Sequence, residues 1–161
     1  MPNTYSQLYA QIVFEVKGRQ NLIPKARKEQ LQKYITGIIS ERGQKLMAVN
    51  CMPDHTHLFV GFSPTMALSD LVHDVKRATS IWIKEQQIVN GKFYWQEEFG
   101  AFTYSQSPVY DVVQYVLNQE EHHRKRTFKE EYLSFLTKFD VAFNPDYLFE
   151  FYEKENGLEP D

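Results

Sequence analysis

The sequence predicts one α+β domain of the split βαβ type, with a four-stranded antiparallel sheet, helices on one face, and an extra helix after the last strand. Three observations carry that expectation. The chain has 161 residues, 42% of them hydrophobic, which is enough for one well-buried core and too few for two typical domains. Its apolar segments alternate between strand-like and helix-like patterns in the order strand, helix, strand, strand, helix, strand. Turn chemistry separates them at Gly18, Gly43, Pro53-Asp54 and Asn90-Gly91.

The first strand lies within Tyr5 to Val16, where LYAQIVFEVKGR is rich in aromatic and β-branched residues and ends near Gly18. Pro24 can occupy the first turn of a helix whose apolar positions are Leu31, Ile35, Ile38 and Ile39, and Gly43 stops it. Residues 45–52 and 57–62 are apolar enough for interior strands and pair as a hairpin across Pro53-Asp54. Ser69 or Asp70 opens the second helix, in which Leu71, Val72, Val75, Ile81 and Ile83 supply the apolar positions and which runs towards Gln87. A last strand falls around Ala101 to Ser105, and a further helix starts near Pro108 with the stripe Val109, Val112, Val113, Val116 and Leu117 facing the body. Beyond it, Tyr132, Leu133, Phe135, Leu136 and Phe139 form an amphipathic helix, and the segment NPDYLFEFY has aromatic surface with which to dock. The expected division is a main domain over 1–129 and an acidic extension over 130–161, packed on or beside it.

Net charge is −3, but it is unevenly spread. Residues 1–129 hold 16 Lys plus Arg against 12 Asp plus Glu, whereas residues 130–161 hold 2 against 9. The acidic end masks a mildly basic body that permits phosphate binding. Lys17 and Arg19 near the N-terminus, Lys76 and Arg77 on the second helix, and Arg124 and Lys125 after the candidate helix are the candidate nucleic-acid contacts, with plain solvation of the helix as the alternative for Lys76 and Arg77. A single cysteine, Cys51, excludes an intramolecular disulfide and a multi-cysteine zinc framework, and its apolar neighbours predict a buried thiol. No apolar run approaches the ~18 residues of a membrane span and no signal pattern opens the chain, so a soluble cytoplasmic protein is expected.

The chemistry is concentrated in His55-Thr56-His57, at the head of the strand HTHLFVGF. Side chains alternate along a strand, so both imidazoles share one face with Cα atoms ~6.6 Å apart, which makes half of a metal site. Taken alone, the pair is weak evidence, because strand histidines are commonly just hydrogen-bonded polar residues. The other half is expected in SPVYDVVQYVLNQEEHHRKR, where Tyr115 and Gln119 stand four apart on one helix face. Both lie off the apolar stripe, Tyr115 by ~130° and Gln119 by ~90°, so neither is placed as a core residue. A phenol nucleophile one turn from a neutral oxygen ligand suits metal-assisted attack on a phosphodiester. Tyr104, Tyr110 and Tyr132 remain competing nucleophiles. His122 is a competing ligand, although HHRKR also reads as a solvated basic patch complementing a helix C-terminus.

Three segments together, MPDHTHLFVGF, FYWQEEFGAF and YVLNQEEHH, resemble the single-tyrosine HUH transposases of small bacterial insertion sequences and the related REP-associated tyrosine transposases. The resemblance spans roughly residues 5–126. It implies a ferredoxin-like domain in which His55, His57 and Gln119 bind a divalent ion and Tyr115 is the nucleophile. It further implies single-stranded DNA with hairpins as substrate, a 5′-phosphotyrosine intermediate, and a homodimer whose tyrosine helices act in trans. Thr56 departs from the hydrophobic residue usual between the two histidines, but its β-branched side chain suits a strand and points to the opposite face. Mg²⁺ or Mn²⁺ fits such a site, with the imidazoles tilting the choice towards Mn²⁺ and leaving Zn²⁺ open. Two alternatives come from other classes. One is a non-catalytic or domesticated DNA or RNA hairpin-binding protein, and the other a zinc hydrolase on His55, His57 and His122, disfavoured because no carboxylate is evidently placed as its base.

Overall fold

The computed structural model describes residues 5–18 and 22–144. Arg19 and the segment from Pro145 onwards, on which the docking of NPDYLFEFY was expected, lie outside the described residues. The elements are β1 (Leu8–Lys17), α1 (Lys28–Glu41), β2 (Lys45–Cys51), β3 (His55–Phe62), α2 (Leu68–Glu85), β4 (Tyr94–Trp95), β5 (Gly100–Tyr104), α3 (Val109–Leu117), α4 (Gln119–Lys125) and α5 (Phe128–Lys138). A single 3₁₀ turn, Lys25–Arg27, leads into α1 after Pro24, whose missing N–H costs nothing there. Gly43, at φ 72°, takes the left-handed conformation that closes α1.

All strand pairs are antiparallel, in the order β2-β3-β1 with β5 beside β1. Beyond the four expected strands, the two-residue β4 pairs with the end of β1 at Val16 and Lys17, next to where β5 pairs with Tyr9 to Val13. Alternation along β1 sends Ala10, Ile12, Phe14 and Val16 to one face, where they join Leu31, Ile35 and Ile39 of α1 and Leu71, Val75 and Ile83 of α2. Cys51 is buried in that layer, as its neighbours predict.

The expectation of helices on one face describes only α1 and α2. The opposite face is also covered, by α3 packing Val112 and Val116 on Ala48 and Phe59, and by α5 packing Phe128, Tyr132, Phe135 and Leu136 on Val13 and Phe102. Double coverage explains why β1 is buried without a break from Ala10 to Val16, where a sheet with one wet face would alternate. Gly100 on β5 is required by this packing. A Cβ there would meet the Tyr132 hydroxyl at 2.7 Å.

The expected continuous helix through Tyr115 and Gln119 is broken at Asn118, which adopts φ −97° and ψ 25°. The cause is on the neighbouring strand. Asn50 of β2 donates from Nδ2 to the carbonyls of Val116 at 3.0 Å and Leu117 at 3.3 Å, the acceptors a continuing helix would use.

Candidate active site and metal centre

The sheet face under α3 and α5 carries the polar residues. In the antiparallel register Glu15 lies opposite His55, Val13 opposite His57, and Asn50 opposite His57 from the other side. These positions therefore share a face. Glu15, Asn50, His55 and His57 are all buried there, and the face that a two-layer domain would leave to solvent becomes an enclosed polar site.

Each histidine has one ring nitrogen fixed by a neighbour. Asp54, in the β2–β3 turn, accepts from His55 Nδ1 at 2.6 Å, and Gln11 Oε1 accepts from His57 Nδ1 at 3.0 Å. Both rings therefore present Nε2 to the site, the arrangement by which outer groups orient metal-ligating imidazoles. His55 Nε2 is buried and has no hydrogen-bond partner among the described residues, while the ring stacks on Phe128 at 3.9 Å between centroids. His57 Nε2 donates to Glu131 Oε1 at 3.0 Å.

Glu131 of α5 is fully buried and draws the other groups together. Its Oε2 accepts from the Tyr115 hydroxyl, and its Oε1 lies 3.6 Å from His123 Nε2. Burial alone would raise its pKa. The charge of His57, hydrogen bonds from His123 and His57, and the field of His55 outweigh burial and hold the carboxyl ionised well below the usual carboxylate range. For Tyr115 the causes run the other way, because burial and then the Glu131 charge both push the phenol up, with Arg126 opposing them. Arg126 donates from Nη2 to the Tyr115 oxygen at 3.4 Å.

Tyr115 and His57 meet within one chain, with ring centroids 6.4 Å apart. Gln119 is fully buried, donating to the Tyr115 carbonyl at 3.3 Å and accepting from His123 Nε2 at 3.1 Å. The helical wheel placed Tyr115 and Gln119 off the apolar stripe. Their side chains nonetheless have a packing surface, because α5 supplies a second one that the wheel does not contain. His122 and His123 are not the solvated patch expected of HHRKR. His122 stacks on Tyr115 at 4.4 Å, and His123 takes the place beside the strand histidines that His122 was considered for. The three rivals for nucleophile stand elsewhere. Tyr110 is exposed, Tyr104 accepts a bond from Gln11 and is pushed up to about 12 by burial, and Tyr132 is likewise pushed up to about 12.

The donor atoms of His55, His57, His123 and Glu131 all lie within 4.8 Å of one another. A buried imidazole nitrogen with no hydrogen-bond partner among the described residues, a second 3.0 Å from a buried carboxylate, and that carboxylate itself form a set that fits a divalent ion. The sequence reading contained no placed carboxylate, and Glu131 corrects that. Gln11, Asp54, His123 and Glu131 were all missed, since each reaches the site by strand register, a turn or a separate helix. The only sequence signal for Glu131 is an acidic residue beside the apolar stripe of α5.

Of the six basic positions, Arg77, Arg124, Lys125 and Lys17 are exposed. Arg124 pairs with Glu121 at 3.0 Å. Lys76 instead donates to the carbonyls of Gln96, Glu97 and Glu98 at 2.8, 3.2 and 2.9 Å, tying the loop after β4 to α2.

Residues 4–119 match the family described as IS200-like transposases. This chain belongs to that family. Among curated relatives it is similar to the ISDra2 transposase TnpA of Deinococcus radiodurans, 22% identical over 120 residues that cover 71% of this chain and 86% of that one. Its fold is similar to that of a solved Deinococcus radiodurans protein, with a TM-score of 0.54, 22% identity and coverage of 73% of this chain and 94% of the other. It is similar also to a REP-associated tyrosine transposase solved with a REP hairpin, at TM-score 0.56 and 15% identity, over 95% of this chain and 96% of that one. The family match stops at Gln119, whereas the second fold likeness extends over nearly the whole chain. Among the described residues no helix is long and apolar enough to cross a membrane.

Proposed function

We propose that this transposase cleaves and rejoins single-stranded DNA beside hairpins through a 5′-phosphotyrosine on Tyr115. The observation that carries the proposal is the convergence of the Tyr115 hydroxyl with the two oriented strand histidines through one buried carboxylate. In the reaction the Tyr115 oxygen bonds to phosphorus, the bond from phosphorus to the 3′ oxygen breaks, and a 3′-hydroxyl is released. A 3′-hydroxyl on another strand reverses the step and joins new ends, so the phosphotyrosine conserves the bond energy and no nucleotide cofactor is consumed. Arg126 stands at the phenol oxygen and offsets charge as its proton leaves. His55 and His57, with Gln119 as the donor implied by the family resemblance, hold a divalent ion, either Mg²⁺ or Mn²⁺. Such an ion supplies Lewis-acid neutralisation of the scissile phosphate.

Hairpin recognition is supported by the near full-length fold likeness to a hairpin-bound transposase, and we assign the exposed Lys17, Arg77, Arg124 and Lys125 to phosphate contacts. Arg19 is assigned to the same role by its sequence position. Lys76 holds the loop after β4, so its contribution to binding is through that loop. Because Tyr115 and both histidines meet in one chain, the reaction needs no exchange of tyrosine helices between subunits, and we place the active site in cis within any homodimer the protein forms.

The test is incubation of purified protein with labelled single-stranded hairpin DNA from the flanks of its own gene, with Mn²⁺, followed by a denaturing gel. A covalent adduct is expected, lost in Tyr115→Phe and His57→Ala, with hairpin binding retained in Tyr115→Phe. An adduct that persists in Tyr115→Phe moves the nucleophile to another tyrosine. Binding without an adduct, across several metals and flanks, replaces the catalytic reading with that of a hairpin-binding protein.

A further inference from the structure

His55, His57 and Gln119 offer two imidazoles and an amide, a donor set without negative charge. A divalent ion drawn from water into so buried a site is costly without a counter-charge. Glu15 and Asp54 also lie beside His55, but among the described residues Glu131 is the carboxylate whose oxygen clusters with the imidazole donors within 4.8 Å. Glu131 lies on α5, beyond the residues matched by the family, and is fully buried with Oε1 3.0 Å from His57 Nε2 and 3.6 Å from His123 Nε2.

The spacing has a second meaning. Neighbouring donors around an octahedral ion with bonds of ~2.1 Å are about 3.0 Å apart, so a hydrogen-bonded imidazole and carboxylate already stand at the separation of two adjacent ligands. His57 Nε2 and Glu131 Oε1 face each other across 3.0 Å, with Nδ1 on the far side of the ring engaged by Gln11 Oε1. A cation fits between those two atoms with little movement of either side chain. Glu131 Oε2 is meanwhile engaged by the Tyr115 hydroxyl, so one carboxylate faces the ligand histidines with one oxygen and the nucleophile with the other.

We propose that Glu131 is the anionic ligand of the metal centre and, through its second oxygen, the group that positions Tyr115 against it. This rests on the reading above of His55 and His57 as metal ligands. His123 stands ready as a further imidazole donor, hydrogen-bonded to Gln119 at 3.1 Å, so that one of the two residues takes the next position. A centre of two or three imidazoles and a carboxylate prefers Mn²⁺ and later first-row ions to Mg²⁺, which favours oxygen ligands and water. The α5 helix thereby becomes part of the centre, and the acidic segment that begins there has a chemical role at its first buried residue.

The experiment is calorimetric titration of the full chain, free of metal, with MnCl₂ and with MgCl₂, for the wild type, His57→Ala, Gln119→Ala and Glu131→Gln. The visible spectrum of added Co²⁺ provides a second readout. Loss of an outer partner of a ligand typically costs 10–100-fold in metal affinity, so loss of a ligand is expected to weaken Mn²⁺ binding by at least about tenfold in Glu131→Gln, and to change the Co²⁺ spectrum. The wild type is expected to bind Mn²⁺ more tightly than Mg²⁺. If Glu131→Gln binds Mn²⁺ as the wild type does while His57→Ala does not, the assignment of Glu131 is overturned and the histidine centre stands. If the wild type binds no Mn²⁺, or His57→Ala binds it unchanged, the metal reading itself fails and takes this proposal with it. Should Glu131→Gln not fold, Glu131→Asp withdraws the carboxylate by one methylene and must also shift both affinity and spectrum. Unchanged values in a folded Glu131→Asp would overturn the proposal.

Discussion

Adding one methyl group at Gly100 should loosen α5 and with it the buried carboxylate of Glu131. A Cβ at that position would lie 2.7 Å from the Tyr132 hydroxyl, 2.9 Å from Cε2 and 3.1 Å from Cζ, where ordinary contact begins near 3.5 Å. Relief requires Tyr132 to retreat by roughly 0.5–1 Å against a contact that rises this steeply. Tyr132 is buried between Phe102 and Phe128, so the retreat moves the helix rather than a free side chain. Overpacking of this kind costs about 1–3 kcal/mol, and replacing a strand glycine recovers about 0.5–1 kcal/mol of unfolded-state entropy. Gly100→Ala is therefore expected to lose about 1–2 kcal/mol, or roughly 2–8 °C in Tm for a chain of this length. Gly61→Ala is the matched control, because its Cβ would come no nearer than 3.6 Å to Tyr9 and 3.9 Å to Lys45, both ordinary contacts, and it should be neutral or slightly stabilising. Urea denaturation of the three proteins measures the difference. Because Glu131 adjoins Tyr132, Gly100→Ala should also reduce adduct formation on hairpin DNA. Equal midpoints for Gly100→Ala and Gly61→Ala would refute the packing of α5 on β5 described here.

Three further outcomes are expected. Asn50→Ala removes both bonds that break the tyrosine helix and should destabilise the protein by about 1–3 kcal/mol, since buried carbonyls lose their donors, with adduct yield falling more than hairpin affinity; an unchanged yield would show that the break does not place Gln119. Burial raises Cys51 from 9.0 to about 12, partly offset by Thr56 and Lys28, and raises Tyr104 and Tyr132 to about 12, so the folded chain keeps protons that the unfolded chain loses above about pH 9. Stability should accordingly fall as pH rises from about 9 to 12, Cys51→Ala should flatten the first part of that fall in urea titrations, and a flat profile in the wild type would contradict the burial of these groups. Finally, mixing Tyr115→Phe with His57→Ala should give no adduct beyond background when the site is assembled in cis, whereas restored activity in the mixture would establish exchange of tyrosine helices between subunits.

The order of elements was readable because each follows from local pattern: alternation in β1, helical spacing of Leu31, Ile35 and Ile39 in α1, and turn residues at Pro53-Asp54 and Gly43. His55 and His57 were readable for the same reason, since two residues apart on a strand means one face whatever the rest of the fold does. The sequence by itself thus determined four of the five strands, the histidine pair and the start of the helix bearing Tyr115. Only the tertiary structure decided what meets them. Gln11 reaches His57 through the pairing of β1 with β3, 46 positions apart, and Glu131 reaches it through the packing of α5, 74 positions away. The break at Asn118 depends on a side chain from another strand, so no helical wheel of residues 109–123 contains it. Periodicity reports which face of an element is buried, but the partner on that face is set by long-range packing, and the carboxylate of this site arrives that way.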